Sequence, residues 1–417
     1  MSNARNSPVP DSAAEFRLFK HAPFVRFWFG RVFTSMANNM LAVAVGWQMY
    51  DLTNSAMDLG LVGLVQFAPS LLLTLLVGHI ADRYERRKII SICLTLQTAI
   101  IGLLIVSTHN QSISRDMILL CSLLIGVAKA FQMPTTQALA PLVVPAAVLP
   151  RALAMSSSGV QFAIIVGPAC GGLLYATGAN TVYILCAVLT LIAATSFSRI
   201  RIDHQASSRE PVTLSSLFAG LNFIWNRQAV LGAISLDLFA VLLGGATALL
   251  PIFARDILLV GPLGLGILRS APAVGALATS IWLARNPIQR KVGKVMFCAV
   301  AVYGVATLVF AFSKIFLLSL VALAITGAAD MISVVIRQSL VQLETPNEMR
   351  GRVSAVNSIF IGASNQLGEF ESGTTAALWG AVTSVAVGGI GTLVVVAVWM
   401  RSFPELVRRE RLTQDET

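Results

Sequence analysis

Gly78-His79-Ile80-Ala81-Asp82-Arg83-Tyr84-Glu85-Arg86-Arg87-Lys88 is the stretch from which the rest of the chain is read. Four cations, Arg83, Arg86, Arg87 and Lys88, crowd into its second half, and long apolar runs lie on both sides. Cations at that density are not tolerated in hydrocarbon, so the stretch is a short loop joining two membrane helices. A short loop rich in Lys and Arg stays on the cytoplasmic side.

Composition extends this reading to the whole chain. Of 417 residues, 56% are hydrophobic and 12% charged, about half the charged share of a soluble domain. At about twenty residues per crossing there is room for roughly twelve spans. They are expected near 25–49, 58–80, 88–108, 116–139, 153–176 and 180–200, then near 229–252, 263–284, 294–313, 315–340, 353–372 and 376–400. Residues 1–22 are polar, and no cleavable signal peptide is expected there. Loops and tails assigned to the cytoplasm hold 23 of the 30 Lys and Arg residues, and loops assigned outside hold only Arg115, Arg255 and Lys314. That bias places both termini in the cytoplasm. The net charge of +10 is therefore a topology signal, and no nucleic-acid partner is expected. Cys93, Cys121, Cys170, Cys186 and Cys298 fall in apolar runs without close pairs, and His21, His79, His109 and His204 are scattered. Neither a metal centre nor a disulfide framework is expected.

The two halves of the chain echo each other. Ala68-Pro69 and Arg87-Lys88 recur 203 residues later as Ala271-Pro272 and Arg290-Lys291. At an offset of 201, Pro145 matches Pro346, Arg151 matches Arg352, Gly167 matches Gly368, and Gly172 matches Gly373. Ordered matches at nearly constant offset indicate duplication. The expected organisation is an N-terminal six-helix bundle at 1–200, a cytoplasmic linker at 201–228 and a C-terminal six-helix bundle at 229–417. The linker ends in an amphipathic run, Leu217 to Trp225, suited to the membrane surface.

Ionisable residues deep in apolar spans carry the functional expectation, because each must face protein or water rather than lipid. Lys129, Asp237 and Asp330 are three such residues, and Glu369 is a fourth. Glu369 shares one helix face with Ser358, Gly362 and Gln366, which makes it a candidate proton carrier alongside Asp330 and Asp237. The 201 offset makes Lys129 and Asp330 symmetry mates. Arg269 is expected to be a snorkelling anchor near the outer surface. Gly167-Pro168 with Gly171-Gly172 is expected to kink span 5 and pack it closely on a neighbour.

Several of these motifs carry a family resemblance. Gly78-x-x-x-Asp82-Arg83-x-x-Arg86-Arg87 resembles the loop 2–3 signature of the major facilitator superfamily, with Glu85 where that family usually has Gly. Gly167-Pro168-x-x-Gly171-Gly172 resembles the signature of the superfamily's antiporters. The segments around Lys129, around Asp237, and from Arg350-Gly351-Arg352 to Glu369-Phe370-Glu371 resemble its enterobactin-exporter-like branch over essentially the whole chain. The resemblance implies an all-α membrane protein with twelve transmembrane helices in two pseudo-symmetric bundles and helices 1, 4, 7 and 10 lining the cavity, so that Lys129 and Asp330 are expected to share a central water-filled space with Asn38, Asn39 and Asp237. It also implies a conformational gate of Gly78, Asp82, Arg83, Arg86, Arg350 and Arg352, in which Asp82 sits against the N-terminal end of span 11. The implied function is export from a bacterial inner membrane by a multi-pass monomer, moving a siderophore or similar amphipathic molecule against an inward proton flow with no other cofactor. Multidrug efflux is the second reading, an uptake symporter the third. The Arg that drug antiporters carry in span 4, four residues before a Gly, is absent, since Ser122 precedes Gly126 at that place.

Overall fold

Caps and turn residues cut the apolar sequence into helices. Ser55 and Ser114 each accept a bond from the amide three residues on, that of Asp58 and of Met117, both at 3.3 Å, closing the first turns of two helices. Gly178 and Gly380 hold positive φ (125° and 84°), a conformation costly for any other residue. They make equivalent turns in the two halves, between the fifth and sixth long helix of each.

The protein is described here by a computed structural model covering residues 18–73, 77, 80, 84–201, 214–346 and 348–411. In the first half lie α1 (Ala22–Thr53), α2 (Ala56–Leu72), α3 (Arg86–His109), α4 (Arg115–Leu139), α5 (Leu149–Tyr175) and α6 (Ala179–Ser198). A shorter helix, α7 (Leu214–Trp225), precedes α8 (Gln228–Leu243), α9 (Gly261–Arg285), α10 (Val292–Phe312), α11 (Phe316–Glu344), α12 (Arg350–Trp379) and α13 (Ala381–Ser402). Beyond Leu243 the α8 path breaks and resumes as tight and wide turns that end in a π-turn, Phe253–Ile257. Among the described residues, nine helices are long and apolar enough to cross a membrane: α3 to α6, α8 with its continuation, α9 to α11, and α13. The described part of α2 is short, while α1 and α12 carry polar and charged groups along their length. Outward stripes such as Val387, Ile390, Val394 and Val398 on α13 are apolar and exposed, a surface suited to lipid.

Packing repeats with the sequence. In the first half α1 lies on α5 and α6, α3 on α4 and α6, and α2 on α4. In the second, α8 lies on α12 and α13, α10 on α11 and α13, and α9 on α11. Two principal seams join the halves, α5 against α9 and α2 against α12, and the repeat exchanges one for the other. The largest apolar cluster runs through both halves at the end far from the termini, from Met40 and Leu104 to Leu249, Phe310 and Ala376. At the other end the core divides into separate clusters, one around Phe27 and Phe197 and another around Phe297 and Leu340. The halves are thus fused at the far end and distinct at the terminal end. On that terminal side α7 lies across the start of α12, with Gly220 against the Arg352 carbonyl and Ile224 buried among Val230, Val341 and Val353.

Candidate functional site

Four helices, two from each half, bring polar groups together midway along the seams. On α4, Gly126 lies so close to α2 that a Cβ there would stand 2.3 Å from the Gln66 carbonyl oxygen. One turn later, Lys129 Nζ donates to Gln66 Oε1 at 3.2 Å. One turn before Gln66 on α2, Gly63 leaves room for the Glu369 carboxylate, whose Oε2 is 2.5 Å from the place of a Cβ. Gln366, one turn before Glu369 on α12, borders the same glycine. Lys129, Arg269 and Glu369 lie within Coulombic range of one another. All three are ringed by protein yet retain open surface, as groups lining an internal space do. Two cations and one carboxylate give the cluster a formal charge of +1. The expected snorkelling of Arg269 is corrected: its guanidinium turns inward, and Nη1 points at the Ala42 carbonyl of α1 at 3.5 Å.

Asp330 lies elsewhere, so the expected common space with Lys129 is replaced by two separate clusters. Asp330 lines a cavity of about 10 Å³ inside the second half, walled by Asp237 and Val241 of α8, Val300 and Tyr303 of α10, and Ser333 of α11. Arg337 Nη1 pairs with Asp237 Oδ2 at 2.7 Å, and the two side chains are 3% and 5% exposed. Asp237 thus belongs to this pocket and not to the central cluster. Arg337 was not anticipated. Its signal was its place seven residues after Asp330, two turns along the same helix face.

The asparagines of α1 are committed to packing. Asn38 Oδ1 accepts from Gln97 at 2.7 Å, and Asn39 Nδ2 donates to the Ser35 carbonyl at 2.8 Å. In the α5 motif, Gly167 and Gly171 rest on Asn39 and Met40 of α1, while Gly172 meets Pro262 and Gly266 of α9. Pro168 lies inside α5, and its carbonyl faces Gly266. The motif therefore forms part of one inter-half seam.

Of the expected gate, Gly78, Asp82 and Arg83 lie outside the described residues. Arg86 donates to the Ala138 carbonyl at 3.1 Å and Arg87 to the Ile200 carbonyl at 2.9 Å. Both cations thereby meet carbonyls left over at helix ends. Glu85 pairs with Arg87 and Lys88 at 3.0 and 3.2 Å, and these cations hold its carboxyl below the usual range. Arg350 and Arg352 are exposed at the start of α12. The opposite end of the molecule carries a further polar contact between halves. The Tyr50 hydroxyl donates to Asp256, and Arg255 reaches the Tyr50 carbonyl at 3.2 Å and Asp51 at 3.4 Å. The π-turn presents Arg255 and Asp256 together to α1.

A family profile described as transmembrane secretion effector matches residues 13–414. The chain belongs to this family of the major facilitator superfamily. Among its relatives, the enterobactin exporter EntS of Citrobacter koseri is 25% identical over 394 residues, 93% of either chain. The protein of that name from Escherichia coli O157:H7 is 26% identical over 399 residues, 94% of either chain. Among solved structures, a bacterial homologue of the human lysosomal transporter Spinster, inward-facing and unoccupied, is similar with a TM-score of 0.73 and 12% identity. That match covers 94% of this chain and 99% of the other. A mutant of the nucleoside transporter NupG is similar with a TM-score of 0.71 and 15% identity, covering 91% and 100%. These two structures share its fold. As a major facilitator protein, the chain is a multi-pass membrane transporter.

Proposed function

We propose that the protein is a secondary active exporter of a bacterial inner membrane, moving an anionic, amphipathic small molecule of the siderophore class by proton-driven antiport. Counting α1, α2 and α12 gives twelve spans, in an N-terminal half to residue 200 and a C-terminal half from 229, with the linker at 201–228 and both termini on the cytoplasmic side. The observation that carries this reading is the cluster of Lys129, Arg269 and Glu369, built by both halves and bearing net positive charge. An anion bound there neutralises the excess cation in a low-dielectric site, where an unmatched charge is costly. Glu369 is the internal counter-ion that Lys129 and Arg269 keep whether the site is empty or loaded, so a single added anion balances the cluster. A catecholate or carboxylate meets these requirements and brings apolar rings for the surrounding helices, consistent with the relatives named for enterobactin export. An exporter loads such a site from the cytoplasmic side.

The test is uptake of radiolabelled enterobactin into inverted membrane vesicles under an imposed pH gradient. Accumulation by the native protein, and its loss in Lys129→Gln and Arg269→Gln with membrane insertion retained, is the expected result. Equal accumulation in vesicles with and without the protein excludes this substrate. Undiminished accumulation by both variants rejects the site.

A further inference from the structure

Resting on the transport reading above, we propose that the transported proton binds at Asp330, in the small pocket of the second half and apart from the substrate cluster. Two carboxylates, Asp237 and Asp330, and one guanidinium, Arg337, stand together there, a formal charge of −1. Arg337 engages Asp237 directly, so Asp330 is the carboxylate left without an ion pair. An excess charge enclosed by helices is costly, and one proton on Asp330 removes it.

The hydrogen bonds agree with the charge count. Tyr303 already donates its hydroxyl proton to the Gly244 carbonyl at 3.1 Å, so it offers the pocket only an acceptor. Ser333 lines the pocket, is 2% exposed, and its hydroxyl has no partner. Arg337 Nε is buried and likewise unpartnered. A cavity of about 10 Å³ lined by both Ser333 and Asp330 holds about one water, enough to join the two side chains. Sodium is disfavoured, because it needs several oxygen ligands and the guanidinium repels it. Of the helices packed on α11, α8 contributes Asp237 and α10 contributes Tyr303. Among the described residues, no side chain of α9 or α12 lines the pocket.

The site implies indirect coupling. Protonation of Asp330 removes a negative charge from beside the Arg337–Asp237 pair and so changes how α11 packs on α8 and α10, whereas substrate sits against α4, α9 and α12. Proton and substrate are then not rivals for one group.

The experiment uses the full-length protein in liposomes and infrared difference spectra over a pH titration. A protonated-carboxyl band that titrates in the native protein is expected to vanish in Asp330→Asn and to persist in Glu369→Gln. Should Asp330→Asn fail to fold, Asp330→Glu is expected to shift the band, and an unmoved band overturns the assignment. So does a band lost in Glu369→Gln and kept in Asp330→Asn. Replacing choline chloride with sodium chloride at constant pH is expected to leave the band unchanged, and its loss makes the site a sodium site instead. With labelled enterobactin as probe, Asp330→Asn is expected to retain counterflow and to lose gradient-driven accumulation at least tenfold. Full accumulation by that variant also overturns the proposal. If the native protein moves no enterobactin, the substrate assignment fails while the infrared titration still decides the proton site.

Discussion

Tyr50→Phe removes the hydroxyl that ties α1 to Asp256 across the end of the two halves far from the termini. A hydrogen bond to a charged group contributes about 1.5–3 kcal/mol. Asp256 is 47% exposed, so water takes over part of the lost bond and the lower figure applies. About 1.5 kcal/mol corresponds to about a tenfold change in the balance between forms closed and open at that end. Arg255→Ala removes the link to Asp51, an exposed pair worth about 0.5 kcal/mol, together with the carbonyl bond and the stacking on the Tyr50 ring at 5.4 Å. Its effect should be similar in size and smaller at high salt, and the double variant should fall short of the sum because the groups share partners. The assay is electron–electron distance measurement between spin labels at the C-terminal end of α1 and the N-terminal end of α9, in a background lacking the exposed Cys298. The control is Tyr183→Phe, which removes a 2.6 Å bond to Gln48 within one half. A longer distance population should grow about tenfold in Tyr50→Phe and stay unchanged in the control. Equal growth in both, or none in either, refutes the latch.

Gly63→Ala places a Cβ against the mobile end of Glu369, so the protein should fold and insert but lose enterobactin transport in vesicles. Gly126→Ala meets the Gln66 backbone carbonyl instead, and should lower the yield of monodisperse protein in size-exclusion chromatography. Arg337→Leu strands Asp237 and should cost about 3–5 kcal/mol, seen as a marked fall in melting temperature in detergent; adding Asp237→Asn should recover part of it. Arg409→Ala breaks the 2.6 Å pair with Glu344, leaving the C-terminal segment held by the Val292 and Gly293 amides at the start of α10, and should increase proteolytic trimming there without altering transport.

The alternation of apolar runs and basic loops carried the all-helical membrane reading, and the shared offset foretold which helix pairs pack alike. The apolarity measure fell short at α1, α2 and α12, where the side chains that serve the seams and the central cluster dilute the hydrophobic signal. Lys129, Asp237 and Asp330 stood out because an ion in an apolar run is expensive wherever it faces lipid. Their partners did not follow from the repeat. Symmetry fixes depth and helix, but it does not say whether a side chain turns toward the seam, as Lys129 does toward Gln66, or into its own half, as Asp330 does. Arg269 was misplaced for a related reason. Position along a span suggested reach to the surface, whereas the side chain lies near Glu369, which compensates its charge. Arg337 escaped notice at the basic end of its span, where a cation passes for a topological one.

The two seams between the halves meet backbone to backbone. Gly172 faces Gly266 in one, and Gly60 faces Gly373 in the other. Surfaces with so little relief have no teeth to disengage, so a change of tilt at these lines meets little friction. They act as a pair of plain bearings. The resistance that sets how long each form survives must then come from the polar fastenings at the ends and the charges in the middle. A bulkier residue at Gly266 or Gly373 should therefore jam the machine in one posture, leaving its cargo site assembled and its cycle stopped.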